Sequence, residues 1–395
     1  MKFLTDRILI SCLLALVASP PAGAAVIVRG PYIENVGEDT ATVRFRADSS
    51  TVAWLSYGSY PDCERFMTLS PEGREHKLTL FGLLSDTTHC YRIYLPDALS
   101  TGAYKAAESS FKTFRGEDKP YLNFLAFGDS GSGTEEQLEL AGLMEKFDPD
   151  FVVHTGDLVD TGLDSAADEQ YFIPYKNMIA RAPFFLTLGN HDYGKQYNKD
   201  AGRRFLRENY IPFHSMPYTG QPPYYYFFDD GNARFFVLDA NFFYGARWAP
   251  PLDRNSKQYK WLERLLARTD REWKFVVMHE PLYSTGARGG LEAQKAVLEP
   301  LLEKYGVDIV LQGHDHDYER TKPMKAGLPN DQEGVIYLTL AGGGSPLYFQ
   351  RNNADWSDKF LPVYHFAYFE IKGASLKMTV YDKDAKVIDT LEIQK

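Results

Sequence analysis

The chain has 395 residues, more than one ordinary hydrophobic core organises, so two domains are expected. Hydrophobic residues make up 44% and charged residues 24%, which excludes a disordered or fibrous chain. Acidic residues outnumber basic ones by 53 to 43, for a formal charge of -10, which argues against nucleic acid or an anionic membrane as an obligate partner.

Residues 1–24 read as an export signal. Lys2 and Arg7 give a positive start, residues 8–17 are a short apolar run, and Ala22-Gly23-Ala24 is a small-residue cleavage pattern. The alternative is a membrane anchor, but a span needs about 20 apolar residues and Pro20-Pro21 interrupts the run too early. A periplasmic or secreted protein is therefore expected. Cys12 lies inside the apolar run, which leaves Cys63 and Cys90 in the exported chain. Exported proteins with two cysteines usually pair them, so a Cys63–Cys90 disulfide is favoured over two unpaired thiols. Two cysteines are too few for a thiolate metal site.

Residues 25–115 look all-β. Residues 40–46 and 79–83 alternate with period two, and residues 87–95 are rich in β-branched and aromatic side chains. Gly58, Pro61-Asp62 and Pro71-Glu72-Gly73 supply turns. Short strands at this spacing predict a small β-sandwich, and residues 29–33 and 81–91 resemble fibronectin type III-like modules. No catalytic constellation falls here, so a packing or docking module with an unassigned partner is expected.

Residues 115–120 form a polar linker with Gly116 and Pro120. From 120 to 395 strands alternate with helices, which predicts an α/β layered domain. Strands are expected at 122–127, 151–154, 183–188, 234–238, 274–278 and 308–311. Helices are expected at 135–147, opened by Thr134 as N-cap, and at 166–179, 258–267 and 291–305. The C-terminal part returns to strands at 334–340, 366–371, 376–381 and 386–393.

Five of these apolar strands run into metal-binding residue types: Gly128-Asp129, Gly156-Asp157, Gly189-Asn190-His191-Asp192, His279-Glu280 and Gly313-His314-Asp315-His316. Sites in α/β sheets form beyond the carboxyl ends of strands, so these five ends predict one shared cleft. Each motif alone has a bland reading: Gly-Asp as a turn, Asn190 as a cap, His154 as a strand end. Five in order, all after strands, predict a metal centre. Bound cations would also supply the positive charge that an anionic substrate needs against an acidic surface.

These blocks, with Tyr318-Glu319-Arg320, resemble the five signature blocks of the purple acid phosphatases, which are calcineurin-like metallophosphoesterases. The resemblance spans the exported chain, since larger purple acid phosphatases also carry an N-terminal fibronectin-like module. It implies a four-layer α/β/β/α sandwich and hydrolysis of phosphate esters, phosphomonoesters first, by a dinuclear centre with metal-bound hydroxide as nucleophile. Asp129, Asp157 and His316 would hold the first ion; Asn190, His279, His314 and the shared Asp157 would hold the second. His191 would assist the leaving alcohol, and Asn190 would also touch substrate. Asp192 orients the His191 ring or is a turn acceptor, the two readings standing level.

Two departures stand out. The family places Tyr three residues after the bridging Asp, where this chain has Asp160, and other metallophosphoesterases place His two residues after the first Asp, where it has Gly131. Asp160 is therefore a candidate replacement ligand, with a turn or supporting role as the alternative. Loss of the phenolate predicts a colourless, all-divalent centre of Fe, Zn or Mn, without an organic cofactor. Arg288 is a candidate phosphate contact or a solvated loop residue, and His214 and His365 are given packing roles. The rival functions are a phosphodiesterase or nucleotide hydrolase on the same metals, and a non-catalytic binding protein on a decayed scaffold.

Overall fold

The computed structural model describes residues 20–98, 101–162, 164–194, 224–243, 249–330 and 333–395. The apolar run of the expected export signal, with Cys12, and His214 lie outside them. The N-terminal unit consists of β1 (Ile27–Glu34), β2 (Thr40–Ser59), β3 (Phe66–Phe81), β4 (Thr88–Pro96) and β5 (Ala103–Lys112), ordered β1-β2-β4-β5 with β3 also on β2. Two of its expected turns are not turns. Gly58 lies inside β2, and Pro71 to Gly73 lie inside β3 where the register against β2 shifts near Thr51. A bulge uses turn residues to bend a long strand without ending it. Cys63 and Cys90 are disulfide-bonded, with Cα atoms 5.2 Å apart.

The expected polar linker begins with a buried hub. Arg115 is 3% exposed, and its guanidinium reaches Asp230 at 2.9 Å, Asp150 at 2.7 Å and Asp86 at 3.1 Å. Asp86 belongs to the β-rich unit and the other two to the α/β domain, so one cation fastens the two together. Phe114 packs against Phe151 and Phe185, and the Tyr91 hydroxyl donates to the Ala180 carbonyl at 2.8 Å.

The chain continues with β6 (Tyr121–Phe127), α1 (Glu135–Met144), β7 (Phe151–His154), α2 (Asp164–Ala167), α3 (Lys176–Ile179), β8 (Phe184–Leu186), β9 (Tyr226–Asp230) and β10 (Ala233–Val237). It proceeds through α4 (Lys257–Leu266), β11 (Trp273–Val277), α5 (Glu292–Lys304), β12 (Ile309–Gln312), β13 (Tyr318–Thr321), the short pair β14 (Met324–Lys325) and β15 (Leu328–Pro329), and β16 (Ile336–Leu340). It ends with β17 (Ser357–Leu361), β18 (His365–Lys372), β19 (Ser375–Asp382) and β20 (Val387–Gln394). The single helix expected over 166–179 is broken into α2, a π turn at Asp168–Phe172, and α3. Pro174 sits between the pieces and has no N–H to continue the ladder. Thr134 caps α1 as expected, its hydroxyl accepting from the Gln137 N–H.

Two sheets result, ordered β20-β19-β18-β6-β7-β8 and β17-β13-β16-β12-β11-β10-β9. They meet through aromatic rings: Phe124 stands edge-on to Phe235 and Phe275, and Phe151 edge-on to Phe228 and Phe235. Alternation sorts the second sheet's other face. Phe235, Phe275 and Ile309 point to this shared core, whereas Phe236, Val276 and Val310 join Trp261, Leu262, Leu298 and Leu302 of α4 and α5. With α1 packed on the outer side of β18, helices flank both sheets. β6, β7 and β8 are mutually parallel, as are β10, β11, β12 and β16. Their carboxyl ends deliver the expected ligand residues.

Candidate metal centre

The backbone is unusual where the ligand residues stand. Asp129, Asp157 and His314 have φ of 55°, 54° and 70°. This left-handed region is costly for residues with a Cβ, and such strain persists where function requires it. The strain turns each side chain out of its strand end toward the cleft. Close approach explains two of the preceding glycines. A Cβ at Gly313 would stand 2.6 Å from Asp129 Oδ2, and one at Gly156 would stand 2.5 Å from His279 Nδ1. Each glycine therefore makes room for a candidate ligand contributed by another strand.

Asp157, His279 and His314 each place a ligand atom within 4.8 Å of the others. His279 Nε2 lies 3.3 Å from Asp157 Oδ2 and 3.3 Å from Asn190 Oδ1. Across the same carboxylates, His279 Nε2 is 4.0 Å from Asp129 Oδ1, and His316 Nε2 is 3.5 Å from that same Asp129 oxygen. All six residues thus converge, Asp129 and His316 on one side and Asn190, His279 and His314 on the other.

The imidazoles are set in the tautomer that metals require. His279 Nδ1 donates to the Thr155 carbonyl at 2.8 Å, and His316 Nδ1 to the Pro346 carbonyl at 2.8 Å. A carbonyl only accepts, so the lone pair of each neutral ring is on Nε2 and faces carboxylate oxygen. Lone pairs of nitrogen and oxygen at these distances repel unless a cation or proton lies between them. Without metal, the proton does this. Burial disfavours charge on His279, but Asp157 and Asp129 outweigh it and hold the imidazole well above its ordinary pKa. Asp157 is correspondingly held below the carboxylate range despite burial, chiefly by His279. Burial and the Asp157 charge raise Asp129, and burial lowers His314 and His316. This donor set of carboxylate, amide and imidazole fits divalent metal.

Of the two readings of Asp160, the structure favours the supporting one. The Asp160 carboxylate does not join the cluster: its Oδ1 accepts from Gln170 Nε2 at 3.2 Å, and its own N–H donates to Gln170 Oε1 at 3.0 Å. What Asp160 gives the centre is its carbonyl, which accepts from His191 Nδ1 at 2.9 Å. Gly131 packs so closely on Leu158 and Val159 that a Cβ there would overlap their backbone, which leaves no space for a histidine. Asp192 does not touch the His191 ring. Its buried carboxylate accepts the N–H groups of Asp157 at 2.9 Å, Leu158 at 3.0 Å, Val159 at 3.4 Å and Gly189 at 2.8 Å.

Around the cluster stand residues that the sequence showed only as a strand end, a motif spacer and a packing histidine. His154 accepts from the Gly156 N–H at 3.2 Å through Nδ1, so Nε2 carries the proton and donates to Ser130 Oγ at 2.9 Å. Its position at the end of an apolar strand, one turn before Asp157, was the available signal. Asp315 accepts from Ser284 Oγ at 2.7 Å and the N–H groups of Arg288 at 3.1 Å and Gly289 at 3.0 Å, shaping the 284–289 loop. His365 packs edge-on against Tyr318, as a packing role requires.

The calcineurin-like phosphoesterase profile matches residues 122–318. Purple acid phosphatase 21 of Arabidopsis thaliana is 27% identical over 333 residues, covering 80% of this chain and 71% of that protein. Purple acid phosphatase 4 of the same plant is 26% identical over 294 residues, covering 66% of this chain and 80% of that protein. The structure of a purple acid phosphatase from yellow lupin (Lupinus luteus) seeds superposes with a TM-score of 0.77 at 20% identity, covering 94% of this chain and 74% of that one. Residues 122–318 thus form a calcineurin-like phosphoesterase domain, and the chain is a purple acid phosphatase-like, metal-dependent phosphoric ester hydrolase.

Proposed function

We propose that this hydrolase acts on phosphomonoesters at two divalent ions, with Asp157 shared between them. Asp129 and His316 complete one position, and Asn190, His279 and His314 the other. The observation that carries the reading is the placement of Asp157, 3.3 Å from His279 Nε2, among imidazoles whose lone pairs face carboxylates on both sides. Ions held there would supply an activated water and neutralise charge on the phosphate.

The remaining chemistry belongs to side chains. His191 is fixed from both ends, its N–H on Asp157 Oδ1 at 2.8 Å and its Nδ1 on the Asp160 carbonyl at 2.9 Å. With protons on both ring nitrogens, Nε2 is the atom that hands one to the departing alkoxide, and Nδ1 keeps its own on the Asp160 carbonyl. The Asn190 amide, beside His279, also faces a phosphate oxygen. Export to an oxidising compartment accompanies this function in our reading, supported by the Cys63–Cys90 bond.

The test is elemental analysis of purified protein together with hydrolysis of p-nitrophenyl phosphate and bis-p-nitrophenyl phosphate. Two divalent ions per chain, no visible absorbance and faster monoester cleavage are expected. Faster diester cleavage would replace the substrate class. No turnover with Mn, Zn or Fe would favour a binding protein on this scaffold.

A further inference from the structure

Tyr348 lies outside every motif that marks the centre, yet it touches two of the residues assigned to it. Its ring lies flat on His316, centroids 4.2 Å apart and planes 9° apart. Its N–H donates to the His316 carbonyl at 2.9 Å, while the Pro346 carbonyl two residues earlier takes the Nδ1 proton. The 346–348 segment therefore fixes both the tilt and the tautomer of this imidazole, whose Nε2 is the atom facing Asp129.

The same phenol holds Arg288. The guanidinium carbon stands 5.3 Å from the Tyr348 ring centroid, and Nη2 donates to the hydroxyl at 3.1 Å. The Arg288 backbone is anchored independently on Asp315, the residue between His314 and His316. Arg288 is exposed, so its guanidinium is open to an incoming anion while it rests on Tyr348. An exposed arginine loses rotamer entropy on being fixed. A clamp that holds it beforehand removes part of that cost from substrate binding.

We propose that Tyr348 is a positioning residue for phosphoester hydrolysis: its ring sets His316 for metal, and its hydroxyl holds Arg288 where the guanidinium takes an oxygen of the substrate phosphate. This deepens the phosphoesterase reading and rests on it.

Tyr348→Phe keeps the stack and removes the hydroxyl. Expected are a KM raised about tenfold and inorganic phosphate bound about tenfold more weakly by the metal-loaded protein, with kcat and zinc affinity within about twofold. Combining it with Arg288→Ala should add little to Arg288→Ala alone, because both remove one contact. Tyr348→Ala should further weaken zinc binding to the metal-free protein about tenfold or more, a loss that Phe at this position restores. Unchanged phosphate binding in Tyr348→Phe, full additivity with Arg288→Ala, or wild-type zinc affinity in Tyr348→Ala would overturn the assignment. A wild-type protein that cleaves no ester sinks the phosphoesterase reading by itself. The phosphate and zinc titrations need no turnover, so they still decide the role of Tyr348.

Discussion

Asp192 and Asp157 brace one another across two loops. The Asp192 carboxylate accepts the Asp157 N–H at 2.9 Å, and the Asp157 carboxylate accepts the N–H of His191, the neighbour of Asp192, at 2.8 Å. The loop carrying Asp157 and the loop carrying His191 are thereby one unit. Because Asp157 sits at φ 54°, the four N–H bonds to Asp192 hold a conformation that the chain would otherwise leave.

Replacing Asp192 by Asn should therefore reach the metals without touching them. The amide keeps one acceptor oxygen and turns an NH2 toward backbone donors, costing about 1–3 kcal/mol in the metal-free protein. Metal affinity should fall about 10–100-fold, as for other supporting groups. Urea denaturation and zinc titration measure the two effects; unchanged values for both would show that the loops are held by something else.

His191 and Asp160 separate by experiment. His191→Ala should retain the metals and lower kcat about 10²–10⁴-fold, the usual worth of a positioned proton donor. Asp160→Asn should leave metal content and rate close to wild type, since the carbonyl that orients His191 remains and Asn still bonds Gln170. Loss of one ion per chain in Asp160→Asn would restore it to the ligand set.

Gly131→Ala tests the crowding beneath the centre. The added Cβ overlaps the Leu158–Val159 backbone next to Asp157 and should cost about 1–3 kcal/mol, with weaker metal binding. Gly131→His should be worse and should add no ligand. A thermal melt and metal analysis of both variants decide the matter, and an extra ion in the histidine variant would contradict the packing argument.

His365 predicts an acid limb in stability. Its buried imidazole is pushed down to about 4 by desolvation, the bond to the Val363 carbonyl opposing this in part. An imidazole depressed in the folded state contributes stability that is complete above its unfolded value of about 6.5 and is lost as pH falls toward 4. Within that window the slope approaches ~1.4 kcal/mol per pH unit from this residue. Denaturant midpoints at pH 7, 6, 5 and 4 should fall less steeply for His365→Gln than for wild type; parallel curves would refute the assignment.

The sequence alone determined which residues gather at one edge of the sheets, because an apolar strand followed by glycine and a polar residue is a local pattern: the strand must end, and the residue after it lies at the sheet's carboxyl edge. It also determined the strand and helix periodicities, from Tyr121–Phe127 to Lys257–Leu266, since each face buries against a neighbour. Tertiary structure decided what the surroundings do. Asp160 and a ligand aspartate are indistinguishable in one dimension; only the position of Gln170, brought in by a helix that Pro174 breaks, turns that carboxylate away. Arg115 reads as a solvated linker charge until Asp86, Asp150 and Asp230 close around it. Tyr348 lies 32 residues beyond His316 and joins it only when the strands β13 and β16 pair. Local patterns fix what a residue is able to do, and long-range contacts decide which oxygen, nitrogen or ring it meets.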